Sequence, residues 1–141
     1  AIDRAVHIPP PSGDIVIESR QLAAAAAYIA DQKKGVDITV YDVSDQIKFA
    51  DYFVVITGTS RPHVRAMYDS VHYRLKAAEE THARAEGVEL GWWVLADFGD
   101  VIVHVLQPEA RDFYGLDELY AECPKVDWEK VDLPEIPEEK I

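Results

Sequence analysis

Gly91-Trp92-Trp93-Val94-Leu95-Ala96-Asp97-Phe98-Gly99-Asp100-Val101-Ile102-Val103-His104-Val105-Leu106 is the most apolar stretch of the chain, and a short polar turn breaks it. Two β-branched and aromatic runs on either side of a glycine-containing turn read as a β-hairpin. With Phe98-Gly99 as the turn, residue 97 pairs with 100, 95 with 102 and 93 with 104. Phe is poorly suited to positive φ, so a bulged turn using Gly99 is the alternative. Alternation then sorts the side chains onto two faces. Trp92, Val94, Ala96, Val101, Val103 and Val105 make one face, wholly apolar and destined for the core. Trp93, Leu95, Asp97, Asp100, Ile102 and His104 make the other, mixing large apolar groups with carboxylates and an imidazole. Such a mixture resembles an interface centre, where aromatics anchor and charges fix register. A purely structural hairpin would instead carry helices on both faces.

Outward from the hairpin, the run Asp51-Tyr52-Phe53-Val54-Val55-Ile56-Thr57-Gly58 reads as a central strand covered on both sides. Residues Val36 to Val43 alternate as a half-buried strand does. A helix is expected from Ser19 to Lys34, around Leu22-Ala23-Ala24-Ala25-Ala26-Ala27-Tyr28-Ile29-Ala30. Thr59-Ser60-Arg61-Pro62 starts a second helix, whose apolar stripe is Val64, Met67, Tyr68, Val71, Leu75 and Ala78. Pro108 to Tyr120 predicts a short helix interrupted near Gly115. The order of helix, two strands, long helix, two strands and helix implies a small α/β (α+β) fold, a mixed sheet covered by helices. The expected organisation is a flexible proline-rich leader over 1–17, one domain over 18–121, and a mobile acidic tail over 122–141.

Composition narrows the function. Fourteen Lys and Arg against 26 Asp and Glu give a net charge of −12. That charge repels phosphate backbones and argues against direct nucleic-acid binding, while favouring encounter with a basic partner. The single cysteine, Cys123, allows no disulfide framework and no four-cysteine zinc site, which points to a reducing compartment and a structural thiol. The chain has no asparagine, so N-glycosylation has no acceptor. No run of 18 apolar residues and no charged-then-apolar leader is present, so a membrane span and a signal peptide are not expected.

The chemical motifs do not assemble into a catalyst. Asp97-Phe98-Gly99 matches the kinase metal triplet, but the glycine-rich loop, strand lysine and HRD-type loop are missing. Thr57-Gly58-Thr59-Ser60 lies where a phosphate cradle would, without a Walker lysine or G-x-G-x-x-G, and reads more simply as a helix cap. A nucleotide-binding or nucleotidyltransferase-like enzyme using this turn is the rival reading. His7, His63, His72, His82 and His104 offer no i, i+4 pair, and Glu79, His82 and Glu86 at a charged helix end read as solvated surface rather than metal ligands. No G-x-S-x-G elbow anchors a serine nucleophile. No cofactor, metal or catalytic residue is expected.

Three blocks resemble the ribosomal silencing factors, also called the Iojap family. They are Ala50 to Ser60 with His63-Val64, Trp93 to Val105, and Arg111 to Tyr120. The resemblance spans about residues 19 to 124, with the blocks in family order and spacing. It implies a nucleotidyltransferase-like fold without the enzyme's catalytic residues. It also implies binding to the large ribosomal subunit through a basic intersubunit-face protein, the fourteenth of that subunit. Blocked joining of the small subunit and lowered translation under nutrient limitation follow. Family contacts fall here on Trp93 and Phe98; with the interface-like face, the expected partner-binding set is Trp93, Leu95, Asp97, Phe98, Ile102 and His104. A bacterial cytoplasmic protein, monomeric or weakly dimeric, is the accompanying expectation. The family often has Leu-Trp where this chain has Leu119-Tyr120.

Overall fold

The structure is a computed structural model, and it describes residues 17–79 and 84–137. Its elements run α1 (Ser19–Gln32), β1 (Val36–Asp42), β2 (Tyr52–Thr57), α2 (Arg61–Glu79), β3 (Arg84–Glu86), β4 (Trp93–Asp97), β5 (Val101–Leu106), α3 (Pro108–Tyr114) and α4 (Leu116–Leu119), with a 3-10 turn at Trp128–Lys130. The expected helices and strands are all present. Among the described residues, the three-residue edge strand β3, too short and polar for alternation to register, and the 3-10 turn at Trp128–Lys130 carried no sequence signal.

The five strands lie in the order β1-β2-β5-β4-β3. β2 and β5 are parallel, and the other three pairs are antiparallel. All six residues of each central strand are buried, as continuous apolar runs require. α1 and α2 cover one face; their Ala26, Ile29, Val64, Met67, Val71 and Leu75 pack with Val54, Ile56, Val94, Val103 and Val105. Ala110 of α3 and Leu116 of α4 pack on the other face, against Phe53, Val55, Ile102 and Leu106.

The hairpin register differs from the expected one by two residues. Asp97 pairs with Ile102, Leu95 with His104 and Trp93 with Leu106. The two-residue loop is Gly99-Asp100, closed by the Phe98 N–H donating to the Val101 carbonyl at 2.9 Å. Gly99 has φ 90, the left-handed first position that a II′-type turn reserves for glycine. A shift of two preserves both faces, because side chains alternate with period two. Trp92 is the exception. β4 begins only at Trp93, so Trp92 escapes the alternation and is 38% exposed rather than core.

Residues 123–137, read from their acidity as part of a mobile tail, are packed on the fold, and the last four residues of the expected tail lie outside the described residues. The Val126 N–H donates to the Val40 carbonyl, and the Asp42 N–H donates to the Pro124 carbonyl, both at 2.8 Å. Cys123 and Val126 are buried, and Trp128, Val131 and Ile136 pack against the first core. The physical reason lies in α1. Ala23 through Ala27 are all fully buried, and five consecutive positions sweep more than one helical turn. A buried apolar run that wraps round a helix needs cover beyond a single face. The C-terminal segment supplies the side that the sheet and α2 leave open. Ile17, assigned to the leader, is likewise buried in the core; the rest of the leader lies outside the described residues.

Replacing Val126 with Asp would bury an unpaired carboxylate in this seam. The expected cost is about 2–4 kcal/mol, a fall in Tm of roughly 10 °C, measurable by thermal denaturation. A segment that did not dock would leave Tm unchanged.

Candidate partner-binding face

The helices α3 and α4 roof only part of their side of the sheet. On β4, Trp93, Leu95 and Asp97 remain half-buried. Arg84 and Glu86 of β3, paired in register with Asp97 and Leu95, are exposed beside them on the same face. Of the six residues expected from sequence, the structure brings five to this face and only three to its surface. Ile102 and His104 lie one strand inward, 5% and 3% exposed, beneath the second core. Phe98 closes the hairpin from the opposite, helix-covered side and is buried there. Alternation assigns a side of the sheet; it does not say which strands a helix will roof.

Sequence reasoning missed the aromatic border of this face. A series of rings runs from Tyr120 to Phe53 (centroids 5.0 Å apart), His104 (4.7 Å), Trp93 (5.9 Å), Tyr114 (4.5 Å) and Phe113 (5.0 Å). Its outer members are open to solvent, Tyr114 at 44% and Phe113 at 79%, with Leu119 of α4 at 59%. A signal existed: adjacent Phe and Tyr in a helix of only two turns cannot both face inward.

The Trp93–His104 pair is chemically specific. The indole Nε1–H donates to the imidazole Nδ1 at 3.1 Å. Nδ1 must therefore be unprotonated, placing the single ring proton on Nε2. That atom is buried and has no hydrogen-bond partner in the structure. Burial alone lowers the imidazole pKa to about 4, since nothing nearby compensates a positive charge.

The Thr57–Ser60 turn is consumed by structure. His63 Nδ1 accepts the Thr59 N–H at 2.9 Å, and its Nε2–H donates to the Lys33 carbonyl at 2.7 Å, joining the end of α1 to the start of α2. Ser60 Oγ accepts the His63 N–H at 3.2 Å. A Cβ at Gly58 would stand 2.7 Å from Val64 Cγ2, so the close approach of strand and helix requires glycine. These contacts support the capping reading. Cys123 is buried, with its thiol on Gln46 Oε1 at 3.2 Å; burial and the carboxylates of Asp42 and Asp45 raise its pKa. Among the described residues no group of three or more His, Cys, Asp or Glu side chains could hold a metal ion. His82 lies outside the described residues.

Residues 16–140 match the family model described as ribosomal silencing factor during starvation. The chain belongs to the ribosomal silencing factor family. It is 36% identical over 104 residues to ribosomal silencing factor RsfS of Chromobacterium violaceum, covering 74% of this chain and 85% of that protein. It is 35% identical over 95 residues to mouse mitochondrial assembly of ribosomal large subunit protein 1, covering 63% of this chain and 40% of that protein. An X-ray structure of a Chromobacterium violaceum protein superimposes with a TM-score of 0.71 at 36% identity, over 74% of this chain and 88% of the other. As a silencing factor, the chain is a ribosome-associated regulator of translation. No helix among the described residues is long and apolar enough to cross a membrane.

The depressed imidazole pKa predicts an acid-side loss of stability. The unfolded chain binds a proton near pH 6.5 and the folded chain near pH 4, so this contribution is complete above about 6.5 and falls as pH drops towards 4. A separation of that size corresponds to roughly 3 kcal/mol. Denaturant unfolding of the wild type and of His104→Leu across this window should show the wild type losing stability more steeply by about that amount. Parallel pH profiles would contradict the burial of a neutral ring.

Proposed function

We propose that this silencing factor binds the large ribosomal subunit through the open strip of β4, Trp93, Leu95 and Asp97, with Tyr114 and Phe113 as an aromatic border. The partner is a basic protein of the intersubunit face, the fourteenth large-subunit protein, and the bound factor obstructs docking of the small subunit. The observation that carries this reading is the half-roofed sheet face: large aromatic groups, half-exposed on rigid strands and mixed with carboxylates, are what interface centres use. The net charge of −12 suits a basic surface. The name of the mouse relative, which assigns that protein to large-subunit assembly, supports the same subunit. Phe98, Ile102 and His104 support the strip from within.

The factor acts by occupancy, in a bacterial cytoplasm, as a monomer or weak dimer. The binding unit spans residues 18–121, with the docked C-terminal segment bracing it. The enzymatic alternative loses ground because the groups of the Thr57–Ser60 turn are already engaged in joining α1 to α2.

Truncating Trp93 to Ala should weaken co-sedimentation with large subunits about thirtyfold, roughly 2 kcal/mol. Tyr73→Ala, on the opposite helix layer, should bind as the wild type does. A folded Trp93→Ala protein that still blocks subunit joining would remove this face from the interface.

Steering by net charge makes association sensitive to salt. Stopped-flow on-rates for the large subunit should fall about tenfold or more from low to physiological ionic strength, with smaller changes in the off-rate. A flat on-rate would exclude electrostatic steering.

A further inference from the structure

The deepest polar group beneath the open face is His104, and it makes a single hydrogen bond. Its Nε2–H is buried without a partner, which costs free energy that a hydrocarbon side chain in the same place would not incur. What the imidazole offers that Leu or Phe could not is the Nδ1 acceptor, and that acceptor is used on one group only, the indole of Trp93. We propose that His104 is a positioning residue: its unprotonated Nδ1 turns the N–H edge of Trp93 inward and fixes the orientation in which the indole, backed by Tyr114, meets the partner. This rests on the reading of the β4 strip as the binding face.

The geometry makes the orientation conditional on the charge of one ring. A second proton on His104 would occupy Nδ1 and set two N–H donors against each other across 3.1 Å. The groups packed around the imidazole offer no relief. β2 presents Phe53 and Val55, and β4 presents Trp93 and Leu95. Beyond these stand the phenols of Tyr120 after α4 and Tyr114 of α3; none of the six is a carboxylate or a cation. Above the ring's titration the indole is held; below it, Trp93 is released.

The test uses the full chain, labelled with nitrogen-15, and isolated large subunits. The Trp93 indole resonance, assigned with Trp93→Phe, should exchange slowly with water and shift as His104 titrates. At neutral pH, His104→Leu should fold, lose that protection and bind about tenfold more weakly or worse. His104→Asn, whose Oδ1 stands near the place of Nδ1, should recover most of the affinity. A folded His104→Leu that binds like the wild type overturns the proposal, as does equal loss in both variants, which would mark a packing role only. If His104→Leu does not fold, the wild-type spectrum decides: an indole resonance that exchanges rapidly, or stays still while the imidazole titrates, overturns it, and a protected, titrating one sustains it. Full binding by Trp93→Ala would sink the face itself; weak binding by Trp93→Ala with intact binding by His104→Leu would sink only the orientation.

Discussion

The guanidinium of Arg111 is the fixed point from which the α3 and α4 side of the sheet is laid out. It is buried on α3, yet its donors are all engaged. Nε and Nη2 grip the Asp117 carboxylate at 2.7 and 2.9 Å; Nη1 reaches the Asp37 carbonyl at 2.6 Å and Thr57 Oγ1 at 2.9 Å; Nη2 also meets Thr39 Oγ1 at 3.3 Å. One side chain thus ties α3 to the irregular start of β1, to the end of β2 and, through Asp117, to α4. Asp117 accepts the Tyr41 hydroxyl as well, at 2.5 Å, and the Arg111 hydrogen bonds hold its pKa below the ordinary carboxylate value. Asp37 takes φ 48, an unusual conformation for a non-glycine residue, and its carbonyl is one that Arg111 captures. A buried ion pair is weak evidence for stability but strong evidence for register, because its planar fork accepts few arrangements.

From that placement follows the asymmetry of the sheet. Anchored over β1 and β2, the short helices bring Ala110 and Leu116 onto β2 and β5 and stop before β4. Their far side carries Phe113 and Tyr114 out to the margin, where Tyr114 meets Trp93. The opposite face shows the contrary solution. There α1, α2 and the C-terminal segment enclose the apolar strand positions, and the alanine helix admits neighbours at close range on every side. One face is fully covered, and the other is covered over β2 and β5 but left open along β4, where recognition is proposed.

For the proposed binding role, an anchor mounted on a strand rather than a loop is an advantage. Trp93 is held by backbone pairing to Leu106, by an indole hydrogen bond to His104 and by the Tyr114 ring, so little freedom remains to be lost on association. The neutral imidazole belongs to the same economy: burial keeps it uncharged, and its uncharged form is the one that accepts from the indole.

The sequence by itself determined the long elements, the two central strands and the sides on which the paired residues of β4 and β5 lie, because strand alternation and helical spacing are local geometry that tertiary contacts do not alter; Trp92 and Phe98, at the ends of β4, fall outside that rule. It also carried the family, through three blocks whose residues prove to be the α1–α2 joint at His63, the hairpin, and the Arg111–Asp117 clasp. Only the tertiary structure decided which of Trp93, Leu95, Asp97, Phe98, Ile102 and His104 would reach solvent. That outcome depends on where α3 lands, and α3 is placed by bonds between Arg111 and residues up to 74 positions away. The same holds for the C-terminal segment. Its acidity reads as disorder when taken alone, but the uncovered side of the buried alanine run in α1 is a demand that only the folded chain can present.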